Sequence, residues 1–449
     1  MSFPRYPKYK ASGVEWLGEV PEGWEVVRLR QLGPLLKGSG GSKEDIVEAG
    51  VPCVRYGDLY TTHSFHISAA RTFVTPERAA DYTELKFGDV LFAASGEKLA
   101  EIGKSAVSLI KIDAVCGGDI VILRPSAQVD PRFLGYASDA PLVNMQKAAM
   151  GRGTTVKHIY PDEVRSLLLP FPPLPEQLAI AAFLDRETAK IDELVEAQAR
   201  LIELLKEKRQ AVISHAVTKG LNPHAPMKPS GIEWLGEVPE GWEVPALSYR
   251  YRVELGKMLD AKQIAGTHLC PYVRNADVQW GRINIVDLNM MDFEPEERAR
   301  FVLRRGDLLV CEGGEVGRCA VWDAPIAECY YQKALHRLRA VDAARDEVLF
   351  LRWLLEAATA SGCFAASEAK ATIAHLPAEV FRRHRFAFPP LPEQLAIVAF
   401  LDRETARIDT LTTEAQRAID LLRERRSALI SAAVTGQIDV RNAVTLEVA

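Results

Sequence analysis

The sequence predicts an α+β protein in which one globular domain and one long helix each occur twice. Three observations predict this: a duplicated 15-residue motif, a duplicated helix start, and short apolar runs of strand type between them. The 449 residues exceed one ordinary domain, and 48% hydrophobic with 26% charged residues is typical of a folded globular chain. We therefore expect two copies of one module, each with its own core.

The two duplicated motifs are nearly identical. SGVEWLGEVPEGWEV at 12–26 and SGIEWLGEVPEGWEV at 230–244 agree at 14 of 15 positions, and 171–194 agrees with 388–411 at 21 of 24 positions. Between them only scattered matches remain, namely Val54-Arg55 with Val273-Arg274, Asp58 with Asp277, Gly88-Asp89 with Gly306-Asp307, and His158 with His375. Residues with the same packing contacts stay alike, whereas surfaces that meet different targets diverge, so we expect two sites of different specificity.

Each Pro-Pro-Leu-Pro-Glu segment predicts the start of a long helix, because proline is tolerated in the first turn and glutamate suits the positive helix end. We expect helices at 172–220 and 389–437, since no proline or glycine interrupts either until its end. A seven-residue register runs through both helices and is typical of a coiled-coil seam. Its members are Leu184, Ile191, Gln198, Leu205, Val212, Leu401, Ile408, Ala415, Leu422 and Leu429.

The seam leaves two questions open. Leu194, Leu201, Leu411 and Ala418 are expected beside it, each three residues after a seam position. Gln198 interrupts the apolar series. It either specifies how the two helices pair or lies at a solvent-exposed edge of the seam. A long amphipathic helix is also compatible with an ordinary core or oligomer interface.

These motifs divide the chain into five segments. They are a first globular domain at 1–171 that includes 12–26, a first long helix at 172–220, a second globular domain at 221–388 that includes 230–244, a second long helix at 389–437, and a tail at 438–449.

Composition and missing motifs exclude several functions. No apolar stretch approaches the length of a membrane span or a secretory signal, so we expect a cytoplasmic protein without membrane contact. The seven cysteines contain no C-x-x-C pair, which argues against a zinc site or a disulfide framework. Neither an adenine-methyltransferase motif nor a nuclease carboxylate cluster is present, and Lys98 stands where a phosphate-binding loop ending at Gly103-Lys104 would need glycine. We expect no catalytic residue, metal or cofactor in this chain.

Polar, glycine-bearing loops follow each Gly-Asp strand and differ in length between the copies. Guanidinium, ammonium and amide groups match base edges in DNA, and hydroxyls and cations hold phosphates. We therefore expect DNA contacts in these loops, in the polar segments at 55–58, 274–282 and 332–333, and near the domain ends at 151–158 and 370–375. Candidates in the first copy are Arg55, Tyr56, Asp58, Ser95, Glu97, Lys98, Lys104, Arg152, Thr154, Thr155, Lys157 and His158. Candidates in the second are Arg274, Asn275, Asp277, Gln279, Trp280, Arg282, Glu312, Glu315, Arg318, Gln332, Lys333, Lys370, Thr372 and His375.

Each candidate also has a structural alternative. The loops are equally compatible with variable surface segments, Trp280 with a core position, and His158 and His375 with helix-capping or core positions. The net charge of −5 further argues against strong DNA binding by the chain alone, because backbone affinity comes from lysine and arginine. Any DNA binding should therefore be local or shared with a partner.

The tryptophan-glutamate motif, the Gly-Asp-x-Leu strand and Pro-Pro-Leu-Pro-Glu-Gln, each present twice in the same order, resemble the specificity subunit of type I restriction-modification enzymes. The resemblance covers nearly the whole chain. It implies two target-recognition domains joined by antiparallel helices, related by a pseudo-twofold axis, that read unequal halves of a split site in double-stranded DNA.

The resemblance also implies partners in a restriction system that defends against phage. Two methyltransferase subunits would bind the long helices, and two restriction-translocase subunits would join the complex to cleave DNA. Those partners would bind S-adenosylmethionine, ATP and Mg, so the chemistry would not belong to this chain. The alternative is a non-catalytic coiled-coil adaptor that joins two protein-binding domains without reading DNA.

Overall fold

A computed structural model describes residues 3–258, 266–364 and 375–443 of the chain. They form two compact units: unit 1 comprises Met1–Gln198 with Arg417–Ala449, and unit 2 comprises Ala199–Gln416. Each unit therefore contains one globular domain together with about half of each long helix.

Unit 1 is a mixture of short strands and helices. Its strands are β1 (Tyr9–Ala11), β2 (Glu19–Pro21), β3 (Glu25–Arg28), β4 (Leu35–Lys37), β5 (Ile46–Val47), β6 (Val51–Val54), β7 (Phe65–Ile67), β8 (Thr72–Val74), β9 (Thr83–Leu85), β10 (Val90–Ala93), β11 (Ser95–Gly96), β12 (Ser105–Ser108), β13 (Ala114–Cys116), β14 (Ile120–Leu123), β15 (Lys157–His158) and β16 (Leu168–Phe171). Its helices are α1 (Tyr56–Thr61), α2 (Pro76–Ala79), α3 (Pro131–Ser138), α4 (Pro141–Met150), α5 (Pro161–Ser166) and the first part of α6 (Leu174–Lys219).

Two five-stranded sheets organise unit 1, with strand orders β4-β14-β10-β12-β7 and β5-β8-β6-β13-β9. The central strand β10 is buried throughout, and its alternate side chains enter different cores, as the pleat of a strand requires. Val90 and Phe92 pack with one cluster, whereas Leu91 and Ala93 pack with another. This explains why the sequence has a continuous apolar run here.

Unit 2 repeats this plan, with fewer strands among its described residues. Its strands are β17 (Met227–Pro229), β18 (Glu237–Pro239), β19 (Tyr251–Leu255), β20 (Leu269–Val273), β21 (Val278–Gln279), β22 (Arg282–Ile283), β23 (Asn289–Asp292), β24 (Asp307–Cys311), β25 (Cys319–Trp322), β26 (Tyr330–Tyr331) and β27 (Leu335–Ala340). Its helices are α7 (Pro295–Phe301), α8 (Val348–Ala360), α9 (Ala378–Arg383) and the first part of α10 (Leu391–Val434), with the end of α6. The larger sheets have strand orders β19-β27-β24-β25 and β23-β20-β26.

The Gly-Asp matches mark a shared turn and ion pair. In unit 1, Gly88 has a φ of 88°, which favours glycine, and the carboxylate of Asp89 accepts a hydrogen bond from Lys86 N at 2.8 Å. Arg124 Nη2 donates to the same carboxylate at 2.7 Å. Gly306, Asp307, Arg304 and Arg339 make the same contacts in unit 2. These matches therefore belong to the scaffold.

The tryptophan-glutamate motif anchors each domain to the start of a long helix. The indole nitrogen of Trp24 donates to Glu176 at 2.9 Å in unit 1, and that of Trp242 donates to Glu393 at 3.1 Å in unit 2. Gln177 and Gln394, the residues that follow these glutamates, also form equivalent hydrogen bonds to backbone groups. The two duplicated motifs are alike because they contact each other.

The long helices α6 and α10 each start two residues later than the sequence suggests, and they end at Lys219 and Val434. Within each unit the helix segments run antiparallel and form the same ion pair, between Asp192 and Arg426 in unit 1 and between Asp409 and Arg209 in unit 2, both at 3.2 Å. The residues of both pairs are related by the 217-residue repeat. The expected antiparallel coiled coil with internal repeat is thus confirmed.

All ten predicted seam positions are buried or half-buried, and Gln198 is one of the half-buried ones. Three of the four residues expected beside the seam do not pack there, because Leu194, Leu201 and Leu411 are 51%, 41% and 42% exposed, whereas Ala418 is half-buried. The second row instead follows each seam position by four residues and consists of Val195, Ile202, Thr412 and Ile419 in the middle of the helices. Alternating steps of three and four keep a row of side chains on one helix face.

Among the described helices, none combines the length and apolar character that crossing a bilayer requires.

Candidate nucleic-acid interface

In unit 1 the candidate residues gather where two parallel strands end. β6 and β13 pair in parallel, and Gly117 N donates to Val54 O at 3.0 Å just beyond them. Arg55 and Tyr56 follow β6, and Gly117 to Asp119 follow β13, so both loops meet at one edge. We call these residues, with Lys37–Gly41, Ser95 and His158, the polar edge of unit 1.

The polar edge of unit 1 encloses a cleft of about 370 Å³, lined by Lys37–Gly41, Arg55, Tyr56 and Gly117 to Asp119. A Cβ at Gly38 would lie 2.1 Å from Gly117 O, so only glycine permits this close approach. Lys37 and the glycines after it are not among the residues predicted from the sequence. The available signal was the cluster Gly38-Ser-Gly-Gly41 directly after an apolar run.

The side chains of this cleft differ in their freedom. Arg55 N donates to the Asp58 carboxylate at 2.9 Å and Arg55 Nη2 donates to Gly41 O at 3.1 Å, so both residues hold the loop. Tyr56 is 39% exposed and Lys37 is exposed, and neither side chain forms a hydrogen bond with any described residue. Lys37 and Tyr56 are therefore available to a ligand.

A second hollow, of about 120 Å³, continues the edge and shares Lys37 and Asp119 with the cleft. Here β11 pairs with β15, and Ser95 Oγ lies 3.0 Å from His158 Nδ1. Ser95 is buried, and no carboxylate among the described residues contacts the other nitrogen of that ring. The pair thus lacks the orienting group of a hydrolase triad.

The remaining first-copy candidates are mostly held by other residues. Lys104 Nζ donates to Asp139 at 2.6 Å, beside Lys147, whose complete burial lowers its pKa to about 8. Arg152 pairs with Glu163 at 3.3 Å. Lys98 pairs with Glu101, Lys157 donates to Gly153 O and Thr154 O, and Glu97, Thr154 and Thr155 are exposed.

Unit 2 has an edge of the same construction. β20 and β26 pair in parallel, and Gln332 N donates to Val273 O at 3.1 Å, as Gly117 does in unit 1. Arg274 N donates to Asp277 at 2.8 Å, which repeats the turn of Arg55 and Asp58. The polar edge of unit 2 comprises Arg274, Asn275, Glu312, Gly313, Gln332, Lys333 and His375.

The side chains on this second edge are different. Asn275 Nδ2 donates to Gly313 O at 3.0 Å, and Asn275 Oδ1 accepts from Arg318 at 3.2 Å. The amide of Asn275 therefore stabilises the loop that contains Gly313 through internal hydrogen bonds. His375 Nε2 lies 3.3 Å from Glu312, whose pKa is raised by burial and lowered less by His375. Lys333 is exposed, and Gln332 is half-buried.

The other second-copy candidates lie around this edge. Trp280 is half-buried against the unit 2 core and its indole nitrogen donates to Glu315 at 2.6 Å, an arrangement that agrees with the core alternative. Gln279 donates to Ala276 O, and Arg282 is exposed. Lys370 and Thr372 lie outside the described residues. Within the described ranges, no group of His, Cys, Asp and Glu is arranged to hold a metal ion.

Comparison with known proteins matches both copies. The model of the type I restriction modification DNA specificity domain family matches residues 21–204 and 239–420. The EcoKI specificity subunit of Escherichia coli K12 is 22% identical over 433 residues, covering 94% of this chain and 90% of that protein. The putative MjaX specificity subunit of Methanocaldococcus jannaschii is 28% identical over 256 residues, 56% of each chain.

Two solved structures share the fold. A chain from a study of complex assembly and conformational transition of the type I R-M system has a TM-score of 0.71 at 20% identity, covering 92% of this chain and 98% of that one. The HsdS subunit of Thermoanaerobacter tengcongensis has a TM-score of 0.57 at 21% identity, covering 93% and 98%.

Proposed function

Because the chain belongs to the type I restriction modification DNA specificity domain family, we propose that it is the sequence-specificity subunit of a type I restriction-modification complex. Each unit reads one half of an asymmetric, bipartite site in double-stranded DNA. One observation carries this proposal: the two polar edges share their backbone turns but not their side chains. Tyr56, Gly117 and Gly118 in unit 1 stand where Asn275, Gln332 and Lys333 stand in unit 2.

The different side chains on the two polar edges are suited to binding different bases in DNA. Unit 1 offers the ammonium group of Lys37 and the phenol of Tyr56 at a glycine-lined cleft, whereas unit 2 offers the amide of Gln332 and the ammonium group of Lys333. Lysine binds guanine edges or phosphates, and glutamine binds adenine. Two unlike half-sites follow from two unlike edges on one scaffold.

This chain contributes no catalysis in the proposed complex. Methyltransferase subunits bind S-adenosylmethionine and act on a flipped adenine, and restriction-translocase subunits use ATP and Mg for cleavage. The net charge of −5 supports a shared role, because the partners must supply much of the positive charge around DNA. We expect weak DNA binding by the isolated chain, and tight, salt-resistant binding would contradict this.

Exposed leucines support the docking of two methyltransferase subunits on the long helices. Leu194 and Leu421 are 51% and 56% exposed in unit 1, and Leu411 and Leu204 are 42% and 51% exposed in unit 2. The repeat relates Leu194 to Leu411 and Leu204 to Leu421. Each unit therefore presents the same two exposed leucines, which is what two copies of one partner would require.

The long helices also set the spacer between the half-sites. A helix of 46 residues is about 69 Å long at ~1.5 Å per residue, which corresponds to about 20 base pairs of B-DNA. A heptad inserted between Gln198 and Leu205 should lengthen the spacer and leave both half-sites unchanged. An active complex with the original spacer would refute this role.

Methylome sequencing tests the proposed function. Cells that carry this chain with its methyltransferase partner should show a bipartite methylated motif that is absent from cells with the partner alone. The non-reading adaptor predicts identical methylomes in both strains, so the absence of a chain-dependent motif would reject DNA recognition.

A further inference from the structure

Asp119, on the polar edge of unit 1, has a backbone conformation that favours glycine. Its φ is 56°, in the left-handed region, and it directly follows two glycines, so a third would fit here without strain. The backbone on either side is fixed, because Ala94 N donates to Asp119 O at 2.7 Å and Gly118 N donates to Gly40 O at 2.8 Å. A carboxylate kept in this conformation indicates that the side chain has a role of its own.

The Asp119 carboxylate and the Lys37 ammonium group are both unused by the fold. Each side chain is exposed, and neither forms a hydrogen bond or an ion pair with any residue that the structure describes. Both residues line the cleft of about 370 Å³ and also the adjoining hollow of about 120 Å³, so they lie where the two meet. One free anion and one free cation therefore flank the same part of the polar edge.

Unit 2 has apolar residues at both equivalent places. The pairing of β4 with β14 and that of β19 with β27 put Leu255 where unit 1 has Lys37. Ala94 follows β10 and donates to Asp119 O, and the residue that follows β24 donates likewise to Ala334 O, at 3.0 Å. Leu255 and Ala334 are half-buried. The shared scaffold thus requires neither charge, which indicates that the two charges serve the target of unit 1.

The two charges match the base edges of one kind of base pair. In the major groove guanine presents two acceptors, O6 and N7, and its partner cytosine presents the N4 amino donor. An ammonium group matches the acceptors of guanine, and a carboxylate matches the amino group of cytosine. A carboxylate that faced guanine or thymine would meet an acceptor instead, and this repulsion rejects both bases. Adenine presents a donor and an acceptor on one base, which an amide matches better than two opposite charges.

We propose that Lys37 and Asp119 determine specificity for a G·C base pair in the half-site of unit 1. Lys37 Nζ donates to guanine, and the Asp119 carboxylate accepts from N4 of cytosine. This inference rests on the proposed function and names one base pair of the DNA that unit 1 reads. The fixed backbone orients the carboxylate before DNA binds, which reduces the entropy lost on binding.

Methylome sequencing of two single variants tests the proposal. Cells carry the methyltransferase partner together with the unchanged full chain, with Lys37→Leu or with Asp119→Asn. Leucine is the residue of unit 2 at this place, and asparagine tolerates the left-handed backbone as aspartate does. Each variant should lower the preference for G·C about tenfold at the same single position of one half-site. The other half-site should stay unchanged.

Matched controls are Lys111→Leu and Asp113→Asn, at exposed residues that precede β13, whereas the polar edge follows it. Both controls should leave the whole motif unchanged. Urea denaturation of each purified variant verifies that it is folded, so that a loss of methylation reports on DNA contacts.

Three results would overturn the inference. They are an unchanged motif in both variants, relaxation at an A·T position, and a uniform loss of methylation by a folded variant whose motif is unchanged. The last result would show that Lys37 contacts only phosphate, because phosphate contacts carry no sequence information. If the unchanged chain directed no motif at all, the proposed function itself would be rejected.

Discussion

Unit 1 and unit 2 are built on one scaffold but present different surfaces at the same place. The Gly-Asp turn, the arginine-aspartate turn and the tryptophan-glutamate contact occur in both with nearly equal distances. The polar edges differ in their side chains and in which of these side chains are free of internal hydrogen bonds. A duplicated protein can therefore keep its fold and change its target by substituting only the residues that follow two parallel strands.

The largest expected effect concerns the shared scaffold. Trp24→Ala and Trp242→Ala each remove a fully buried indole and leave a cavity, so each should lower the free energy of unfolding by about 3 to 5 kcal/mol. Urea denaturation followed by circular dichroism measures this. Trp16→Ala, at an exposed indole, is the control and should cost much less. Unequal losses for Trp24 and Trp242 would show that the two contacts are not equivalent.

A buried histidine should make unit 2 the more acid-sensitive unit. Burial lowers the pKa of His336 to about 4, and its position on β27 corresponds to Val121 on β14 of unit 1. Between pH 6.5 and 4 this histidine is protonated in the unfolded chain but not in the folded one. The free energy of unfolding therefore decreases as the pH is lowered through this range, by at most about 3 kcal/mol. His336→Val should remove this loss in urea denaturation at pH 7 and pH 4.5. If the stabilities of the unchanged protein and of His336→Val depended equally on pH, this prediction would be contradicted.

Tyr56 and Asn275 occupy equivalent positions but should respond differently to alanine. Asn275→Ala leaves Gly313 O without its donor and removes one of the two donors of Ala334 O, so it should cost about 1 to 3 kcal/mol of stability. Tyr56→Ala breaks no hydrogen bond within the described residues and should leave stability unchanged. It should weaken DNA binding by the assembled complex about fivefold, or about 1 kcal/mol. Fluorescence anisotropy with half-site mutants would check this, and a loss of stability without a change in affinity would reject Tyr56 as a contact.

The smallest effect concerns the seam, where half-buried Gln198 corresponds to buried Ala415. Gln198→Leu should stabilise the protein by about 1 kcal/mol, roughly half the gain for full burial of a leucine. Denaturant midpoints measure the change, and Glu196→Leu on the exposed face is the control. A destabilised variant would indicate that the amide makes a necessary contact.

The sequence predicted the repeated parts of the fold well because a repeat can be read without any tertiary information. The fold class and the two long helices are examples, and the ten seam positions are buried or half-buried. The second row of the seam was wrong by one residue because a step of three and a step of four are both compatible with a helix.

The polar edges were harder to predict because their members are distant in sequence. Gly38 matters only because Gly117 approaches it, and Lys104 is held only because Asp139 lies beside it. Asn275 has the chemistry of a base-reading residue, yet its hydrogen bonds are internal. Residue type alone does not distinguish a free donor from one already used by the fold.

The central claim is that each domain reads its own half-site on an interchangeable scaffold. It is tested most directly by replacing residues 27–170 with a second copy of 245–387 and sequencing the methylome of cells that carry this chimera with the methyltransferase partner. The expected result is a methylated motif made of two copies of the half-site read by unit 2. A motif that keeps its two unequal halves would contradict it.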